Sequence, residues 1–185
     1  RVYDIAFDLD HIGYRVPAGH RLRVAVSSSY WPMIWPSPER TCLTLHEAAI
    51  DLPHRPAGEA DEWVFPPEDA DPPWDIRTLR EASNIRRTEI DKASGEVRLI
   101  IVDDSGLVED VNHGAVSGTI ARETWVIHPD DPLSARGSCH WTSETGRGDL
   151  RLRTETTCEM WSDAEYFHLK SGISAFENDT LLYQN

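Results

Sequence analysis

The sequence predicts an all-β protein, an antiparallel β-sandwich of the jelly-roll type. Apolar residues alternate with polar ones along most of the chain, glycines mark hairpin turns, and predicted strands recur about every 8–12 residues. The 185 residues are enough for one domain with its own core. We therefore expect residues 1–185 to form a single domain.

Period-two alternation begins at the start of the chain. Between residues 3 and 9 the large apolar side chains fall on one face, whereas Asp4 and Asp8 fall on the other. Three further segments alternate in the same way: residues 22–26, 43–45 and 50–52. Successive side chains of a strand point to opposite faces, so we expect each segment to be a strand with one buried face.

The clearest strand is predicted over Leu150–Met160, where apolar residues, threonines and a cysteine alternate with charged residues and one threonine. A slip of one residue would move the charged set into the core, so the register should be firm. Residues 167–173 predict a neighbouring strand, and residues 181–183 a last one. Residues 120–127 are β-branched and aromatic, and we expect this strand to stop at Pro129.

Two glycines predict turns in the middle of the chain. Residues 92–95 separate two strand-like runs, residues 85–91 and 96–103, which is typical of a hairpin. Ser105-Gly106 predicts a second turn. Residues 75–83 form the one segment that could be a helix, with Ile76 and Leu79 three residues apart.

Two proline-rich stretches predict long loops that cross over the sandwich, residues 30–38 and 53–73. The first holds Trp31 and Trp35, and the chain has seven tryptophans in all. Exposed indole rings can stack on sugars, whereas buried ones pack in a core or against another domain. Both interpretations remain open from the residues alone.

Charge and cysteine content restrict the partners and the compartment. The net charge of −14 repels phosphate backbones and argues against nucleic acid. No apolar run approaches the ~20 residues that span a bilayer, and no leader peptide is visible, so we expect no membrane partner. Cys42, Cys139 and Cys158 predict free thiols and a cytoplasmic location, with a Cys139–Cys158 bridge as the alternative if those segments pair.

Catalytic and cofactor motifs are not apparent. A serine nucleophile needs Gly-x-Ser-x-Gly, and the nearest string, residues 114–118, has the wrong spacing. Phosphate loops, dinucleotide-binding glycines and the His-Glu-x-x-His zinc motif do not occur, so we expect no cofactor and no metal. His128 with Asp130 or Asp131 could form a loop site that binds a metal or acts as a base. The structural alternative is a loop histidine whose ring nitrogens form hydrogen bonds with the backbone or with water.

Several stretches together resemble one known family. They are residues 16–29, Trp31-Pro32, residues 35–39, residues 130–135 and residues 167–183. This sequence resembles the C-terminal domain of the X-Pro dipeptidyl-peptidase and cocaine-esterase-like serine hydrolases. The resemblance is strongest at the first stretch and extends over essentially the whole chain.

The resemblance implies a parent enzyme with an α/β-hydrolase domain that carries a Ser-Asp-His triad, a helical cap and a jelly-roll domain of galactose-binding-like topology. None of the triad motifs occurs here, so no catalytic residue can be transferred. The resemblance also implies that the chain lacks the first strands of the family's jelly roll. The implied function is a non-catalytic domain that packs on the catalytic domain and helps shape its cleft.

The resemblance suggests a role for three residues, and the turn preferences of proline and glycine suggest a role for two more. Tyr30, Trp31 and Trp35 would lie at the cleft rim or in an interdomain contact, and Pro17 and Gly19 would form a structural turn. The catalytic domain would be the partner, and an exposed sheet edge or an apolar loop could support a homodimer. The alternative function is a free-standing carbohydrate-binding module.

Overall fold

The computed structural model describes residues 2–56, 58 and 64–185. Trp63, which the sequence places in the second proline-rich loop, lies outside the described residues. The described residues form eight strands, and none of them is helical. The strands are β1 Ile76–Arg80, β2 Ser83–Ile90, β3 Val97–Asp110, β4 Ala115–His128, β5 Asp131–Arg147, β6 Leu150–Ser162, β7 Phe167–Glu177 and β8 Thr180–Gln184.

All eight strands belong to one antiparallel sheet. The order is β1-β3-β4-β5-β6-β7-β8, and β2 also pairs with β3. Because β4 takes one edge of β3, β1 and β2 lie end to end along its other edge. The all-β class is thus confirmed, and the sheet is consistent with one layer of a sandwich. The jelly-roll topology is not confirmed, because the strands follow the chain across the sheet.

The register of the long strands defines two faces. Trp125, Gly137, Met160 and Leu169 are successive partners across β4, β5, β6 and β7. We call the side that carries this row the Trp125 face. In β6 it also carries Leu152, Thr154, Thr156 and Cys158, which confirms the alternation predicted for Leu150–Met160. The predicted strands at residues 120–127, 167–173 and 181–183 are confirmed as parts of β4, β7 and β8.

The predicted hairpin at residues 92–95 is confirmed as the β2–β3 connection. Gly95 donates its backbone N–H to the Asp91 carbonyl at 2.7 Å, and Asp91 donates to the Glu96 carbonyl at 2.9 Å. The φ angle of Gly95 is 82°, a conformation that glycine adopts without steric cost. A side chain there would also lie 2.9 Å from the His128 ring.

Two predictions for the middle of the chain were wrong. Ser105-Gly106 is not a turn between strands but a bulge inside β3, where the register shifts between Asp104 and Leu107. Its glycine still adopts a φ of 80°, since a bulge can require the same backbone geometry as a turn. The helix considered for residues 75–83 is strand β1, because residues 76–80 pair with the end of β3.

The four strands predicted before residue 53 are not formed. The described residues from 2 to 29 and from 41 to 56 have no strand, and all of them are exposed. The exposed fractions of Tyr3 and Phe7 are 69% and 76%. Alternation shows which side of a segment can be buried, but a strand also needs a neighbouring strand with which to form backbone hydrogen bonds, and the described residues of these segments pair with no strand of the sheet.

Candidate functional site

The segment Tyr30–Arg40 contacts the sheet, and we call it the strap. Ile34 donates its backbone N–H to the Tyr30 carbonyl at 2.8 Å, which closes a turn. The Trp31 and Trp35 rings meet edge to face, 5.0 Å apart and at 76°. This is a favourable arrangement for two aromatic rings, so the turn presents them as one unit.

Trp31 rests on the Trp125 face of the sheet. Its ring meets that of Trp125 edge to face, with centroids 5.9 Å apart at 85°. Trp125 lies over Gly137 of β5, where an added Cβ would be 2.5 Å from the indole ring. The Trp125 Nε1–H donates to Glu123 Oε2 at 3.0 Å. Only a residue without a side chain at position 137 leaves room for this ring.

Trp35 forms the second anchor of the strap. Its Nε1–H donates to Ser162 Oγ at 3.0 Å, and its ring meets Phe167 edge to face at 6.0 Å. Asp163 fixes the turn between Ser162 and Phe167. Its carboxylate accepts hydrogen bonds from the backbone N–H groups of Glu165 and Tyr166 at 2.8 and 2.9 Å. The pKa of Asp163 is lowered to about 2, mainly by the hydrogen bond from the backbone N–H of Glu165 and next by the hydrogen bond with the His168 side chain.

The end of the strap lies against the β4–β5 turn. Arg40 forms an ion pair with Asp130 at 3.4 Å, and both side chains are 71% exposed. A pair this exposed contributes little stability because water screens it. The strap is therefore held mainly by its two tryptophans.

The outer side of the strap is apolar and exposed. The exposed fractions are 65% for Tyr30, 75% for Met33 and 61% for Ile34. Trp31 and Trp35, by contrast, are half-buried against the chain's own sheet. Of the three residues assigned by resemblance to the cleft rim or an interdomain contact, Tyr30 is thus the one that points a free surface outward.

Pro17 and Gly19, for which the sequence predicts a structural turn, do lie in a turn. His20 donates its backbone N–H to the Pro17 carbonyl at 3.1 Å, and the φ angle of Gly19 is 84°. This is a β-turn whose third position has a positive φ, for which glycine is the usual residue. The described segments on either side of it are not strands.

A second feature is an open cleft of about 570 Å³ on the Trp125 face. Trp141 lines it and is 50% exposed. The Asn84 side chain donates to the Asp103 carboxylate beside it, and Glu123 and Thr119 complete the polar lining. An exposed aromatic ring surrounded by hydrogen-bonding side chains is a suitable surface for a polar ligand.

His128 does not form a site with the neighbouring carboxylates. Its Nδ1 accepts the backbone N–H of Asp130 at 3.1 Å. The Asp130 carboxylate faces Arg40, and Asp131 Oδ1 accepts the N–H of Leu133 at 3.0 Å. This supports the structural alternative for the loop histidine.

Three other histidines, His113, His140 and His168, pair with carboxylates. The shortest such contact is 2.7 Å, between His168 Nε2 and Asp163, and His168 stacks on Trp161 at 5.3 Å. Ser162 lies next to Asp163 in sequence, but its side chain faces the opposite side of β6 from Trp161. Its hydroxyl group is therefore on the other face of the sheet from His168, the pairing partner of Trp161. Among the described residues, no group of three or more His, Cys, Asp or Glu side chains could hold a metal ion. No helix in that same part of the chain has the length and apolar character needed to cross a bilayer.

Sequence reasoning did not identify the residues that hold the strap. Ser162 lies 127 residues from Trp35, and no local pattern connects two residues so far apart. Gly137 did carry a signal, because an isolated glycine within a strand often marks a close approach. The expected free thiols are present, since Cys139 and Cys158 are directly opposite each other in β5 and β6 and are not bonded.

Residues 1–67 match the family of the X-Pro dipeptidyl-peptidase C-terminal non-catalytic domain. The match includes the Pro17–His20 turn and the whole strap, and it ends before β1. It agrees with the resemblance seen in the sequence. No curated protein and no solved structure matches the chain.

Replacement of Gly137 by alanine tests the packing that supports the strap. The new methyl group would displace Trp125 and with it the surface on which Trp31 rests. We expect a loss of about 1–3 kcal/mol in the free energy of unfolding, measured by urea denaturation, and faster tryptic cleavage after Arg40. Gly13→Ala is the matched control, since nothing lies within 4 Å of its Cβ position. Equal effects of the two substitutions would contradict this account.

Proposed function

We propose that this chain is the non-catalytic C-terminal domain of a serine hydrolase of the X-Pro dipeptidyl-peptidase or acyl-esterase type. In this proposal, residues 1–185 are one domain that packs on an α/β-hydrolase domain located elsewhere in the polypeptide and helps shape its cleft. The observation that carries the proposal is the match of residues 1–67 to a family described as non-catalytic.

The geometry of the strap supports an interdomain contact. Its inner side is fixed to the sheet by Trp31 and Trp35, so its outer side is presented in a defined position. That outer side holds Tyr30, Met33 and Ile34, which are all more than half exposed. Contiguous apolar side chains on a surface commonly mark a protein contact. We therefore assign the outer side of the strap to the catalytic domain.

The compartment is a further part of the proposal. The three cysteines are free, although Cys139 and Cys158 are opposite each other on neighbouring strands. Burial and the neighbouring Cys158 raise the pKa of the Cys139 thiol, which keeps it in its unreactive protonated form. A cytoplasmic, reducing location is consistent with such thiols.

The contact can be tested in the full-length polypeptide that contains this chain. We expect the double substitution Tyr30→Ala, Met33→Ala to lower kcat/KM for X-Pro p-nitroanilides or p-nitrophenyl esters at least about threefold by misplacing the cleft wall. Ser37→Ala in the same exposed strap is the control and should leave kcat/KM unchanged. The 185-residue chain alone should show no turnover. If the isolated chain shows turnover and His128→Ala abolishes it, the proposal is overturned.

A second candidate function is carbohydrate binding. The specific observation in its favour is Trp141, a half-exposed indole in an open cleft that also holds Asn84, Asp103 and Glu123. Sugar rings stack on aromatic faces while their hydroxyl groups bond to carboxylates and amides. This candidate needs the Trp125 face to remain open.

Binding of a glycan should depend on Trp141 and not on other tryptophans. On a glycan array followed by titration calorimetry, we expect Trp141→Ala to weaken binding of any bound sugar at least about tenfold, through loss of the stacking surface. Trp74→Ala is the control, because Trp74 is 80% exposed and lies outside the cleft. Absence of binding across a broad panel would remove this candidate.

Self-association through a sheet edge also belongs to the proposal. The outer edge of β2 pairs with no described strand, and all eight residues of β2 are exposed. Such an edge presents unpaired backbone donors and acceptors to a second copy. Arg86 and Arg87 lie in the middle of the edge, and charged side chains weaken this kind of pairing, so any dimer should be weak.

Light scattering of the chain over a range of concentrations tests the edge. We expect the apparent mass to rise toward that of a dimer at high concentration, and Thr88→Pro to abolish the rise because proline removes a backbone donor. Thr88→Val is the matched control and should dimerise like the parent chain. A strictly monomeric parent chain at all concentrations would refute the edge contact.

A further inference from the structure

The open cleft that Trp141 lines on the Trp125 face, which we call the Trp141 cleft, is built on one row of the sheet. Asp103 of β3, Ala121 of β4 and Trp141 of β5 are successive partners in that row. Adjacent strands lie about 4.8 Å apart, so Asp103 and Trp141 stand roughly two such spacings apart. Only the methyl group of Ala121 lies between them. The cleft therefore has a small floor, an aromatic wall and an acidic wall.

Hydroxyl groups form one end of the Trp141 cleft. Ser105 Oγ and Thr119 Oγ1 lie 3.1 Å apart, and Ser105 Oγ accepts the backbone N–H of Thr119 at 2.9 Å. A hydroxyl group has one donor and two acceptor lone pairs, so the Thr119 hydroxyl can also bond to a ligand. Glu123 lies at the other end, because it and Thr119 flank Ala121 on the same face of β4.

Two carboxylates of the Trp141 cleft keep an uncompensated negative charge. Asp103 accepts a hydrogen bond from the Asn84 amide, and Glu123 Oε2 accepts the Trp125 Nε1–H at 3.0 Å. Both donors are neutral, and the ion pairs among the described residues include neither carboxylate. The cleft therefore offers two free negative charges to a ligand.

The other charged groups around the cleft do not neutralise these carboxylates. Asp104 also lines the cleft, but it pairs with Arg80 at 3.2 Å and accepts the backbone N–H of Gly106 at 2.8 Å. Arg86 is on the same face as Glu123, with Ile101 between them in the sheet. A positive group bound above Ala121 would thus meet two carboxylates that lack a cation.

We propose that the Trp141 cleft binds a cationic amino sugar, with the pyranose ring on Trp141 and the ammonium group between Asp103 and Glu123. This inference rests on the second candidate function, carbohydrate binding, and specifies its ligand class. An ammonium group is attracted both by an indole ring and by carboxylates. A neutral sugar would use the same stacking surface but would leave both charges without a counter-ion.

The construction of the cleft favours a sugar ring over a flexible basic side chain. A pyranose ring is rigid and can contact Trp141, Ala121 and the hydroxyl end at the same time. A lysine side chain loses rotamer freedom when it is held, and it has no hydroxyl groups to bond to Thr119. The net charge of −14 attracts any cation over a distance, so selectivity must come from the contacts within the cleft.

Two probes separate stacking from charge. They are an oligomer of glucosamine and an oligomer of N-acetylglucosamine of the same length and linkage, since acetylation removes the positive charge and keeps the ring. In titration calorimetry of the 185-residue chain, at low ionic strength and at a pH where the amines are protonated, we expect the glucosamine oligomer to bind at least about tenfold more tightly. Added salt should reduce this difference because it screens the charges.

Neutral variants of equal shape identify the charges that matter. Asp103→Asn and Glu123→Gln keep an oxygen that accepts the bond from Asn84 or Trp125, and each should weaken binding of the glucosamine oligomer at least about threefold. Neither should change binding of the N-acetylglucosamine oligomer. Glu177→Gln is the matched control, because Glu177 is exposed on the same face but lies outside the cleft. Unchanged circular dichroism shows that each variant retains the sheet.

The possible results distinguish this inference from the candidate function on which it rests. Equal or tighter binding of the N-acetylglucosamine oligomer, lost in Trp141→Ala, would overturn the inference and support carbohydrate binding. Failure of the glucosamine oligomer to bind would also overturn it, and the glycan array then decides the candidate function separately. A lysine oligomer that binds as tightly, with no response to Trp141→Ala, would show attraction to the acidic chain in general and would equally refute the site.

Discussion

The packing of Trp125 over Gly137 is the constraint on which the strap depends. A side chain at position 137 would occupy the space of the indole ring, and the ring in turn provides the surface for Trp31. Glu123 fixes the ring through its Nε1–H. One glycine in β5 therefore determines whether a segment more than a hundred residues earlier can lie on the sheet.

The two anchors give the strap a defined orientation. Trp31 is held by aromatic packing, whereas Trp35 is held by packing on Phe167 and by a hydrogen bond to Ser162. A hydrogen bond fixes direction more strictly than apolar contact does, so the second anchor sets how the strap is rotated on the sheet. Tyr30 points outward as a consequence of how both tryptophans point inward.

The sequence predicted the parts of the fold that depend on local patterns. The alternation in Leu150–Met160 and the glycine turn before β3 were sufficient, since each contains its own register or geometry. Ser105-Gly106 was misassigned because a bulge and a turn can both need a positive φ. The strap was recognised from its resemblance to a family, but its contacts with Ser162 and Phe167 depend on how distant strands align, which no local pattern records.

In the first 56 residues, the sequence pattern predicts strands that the structure does not form. Alternation in residues 3–9 states that one side of the segment is apolar, and this holds whether or not a partner surface is present. The sheet also has uncovered apolar side chains, because Trp141 and Ile173 remain exposed on the Trp125 face. Apolar surface exposed to water is unfavourable on both parts, and the strap already joins them. Burial of these apolar side chains would therefore favour a two-layer arrangement, although the described residues form one sheet.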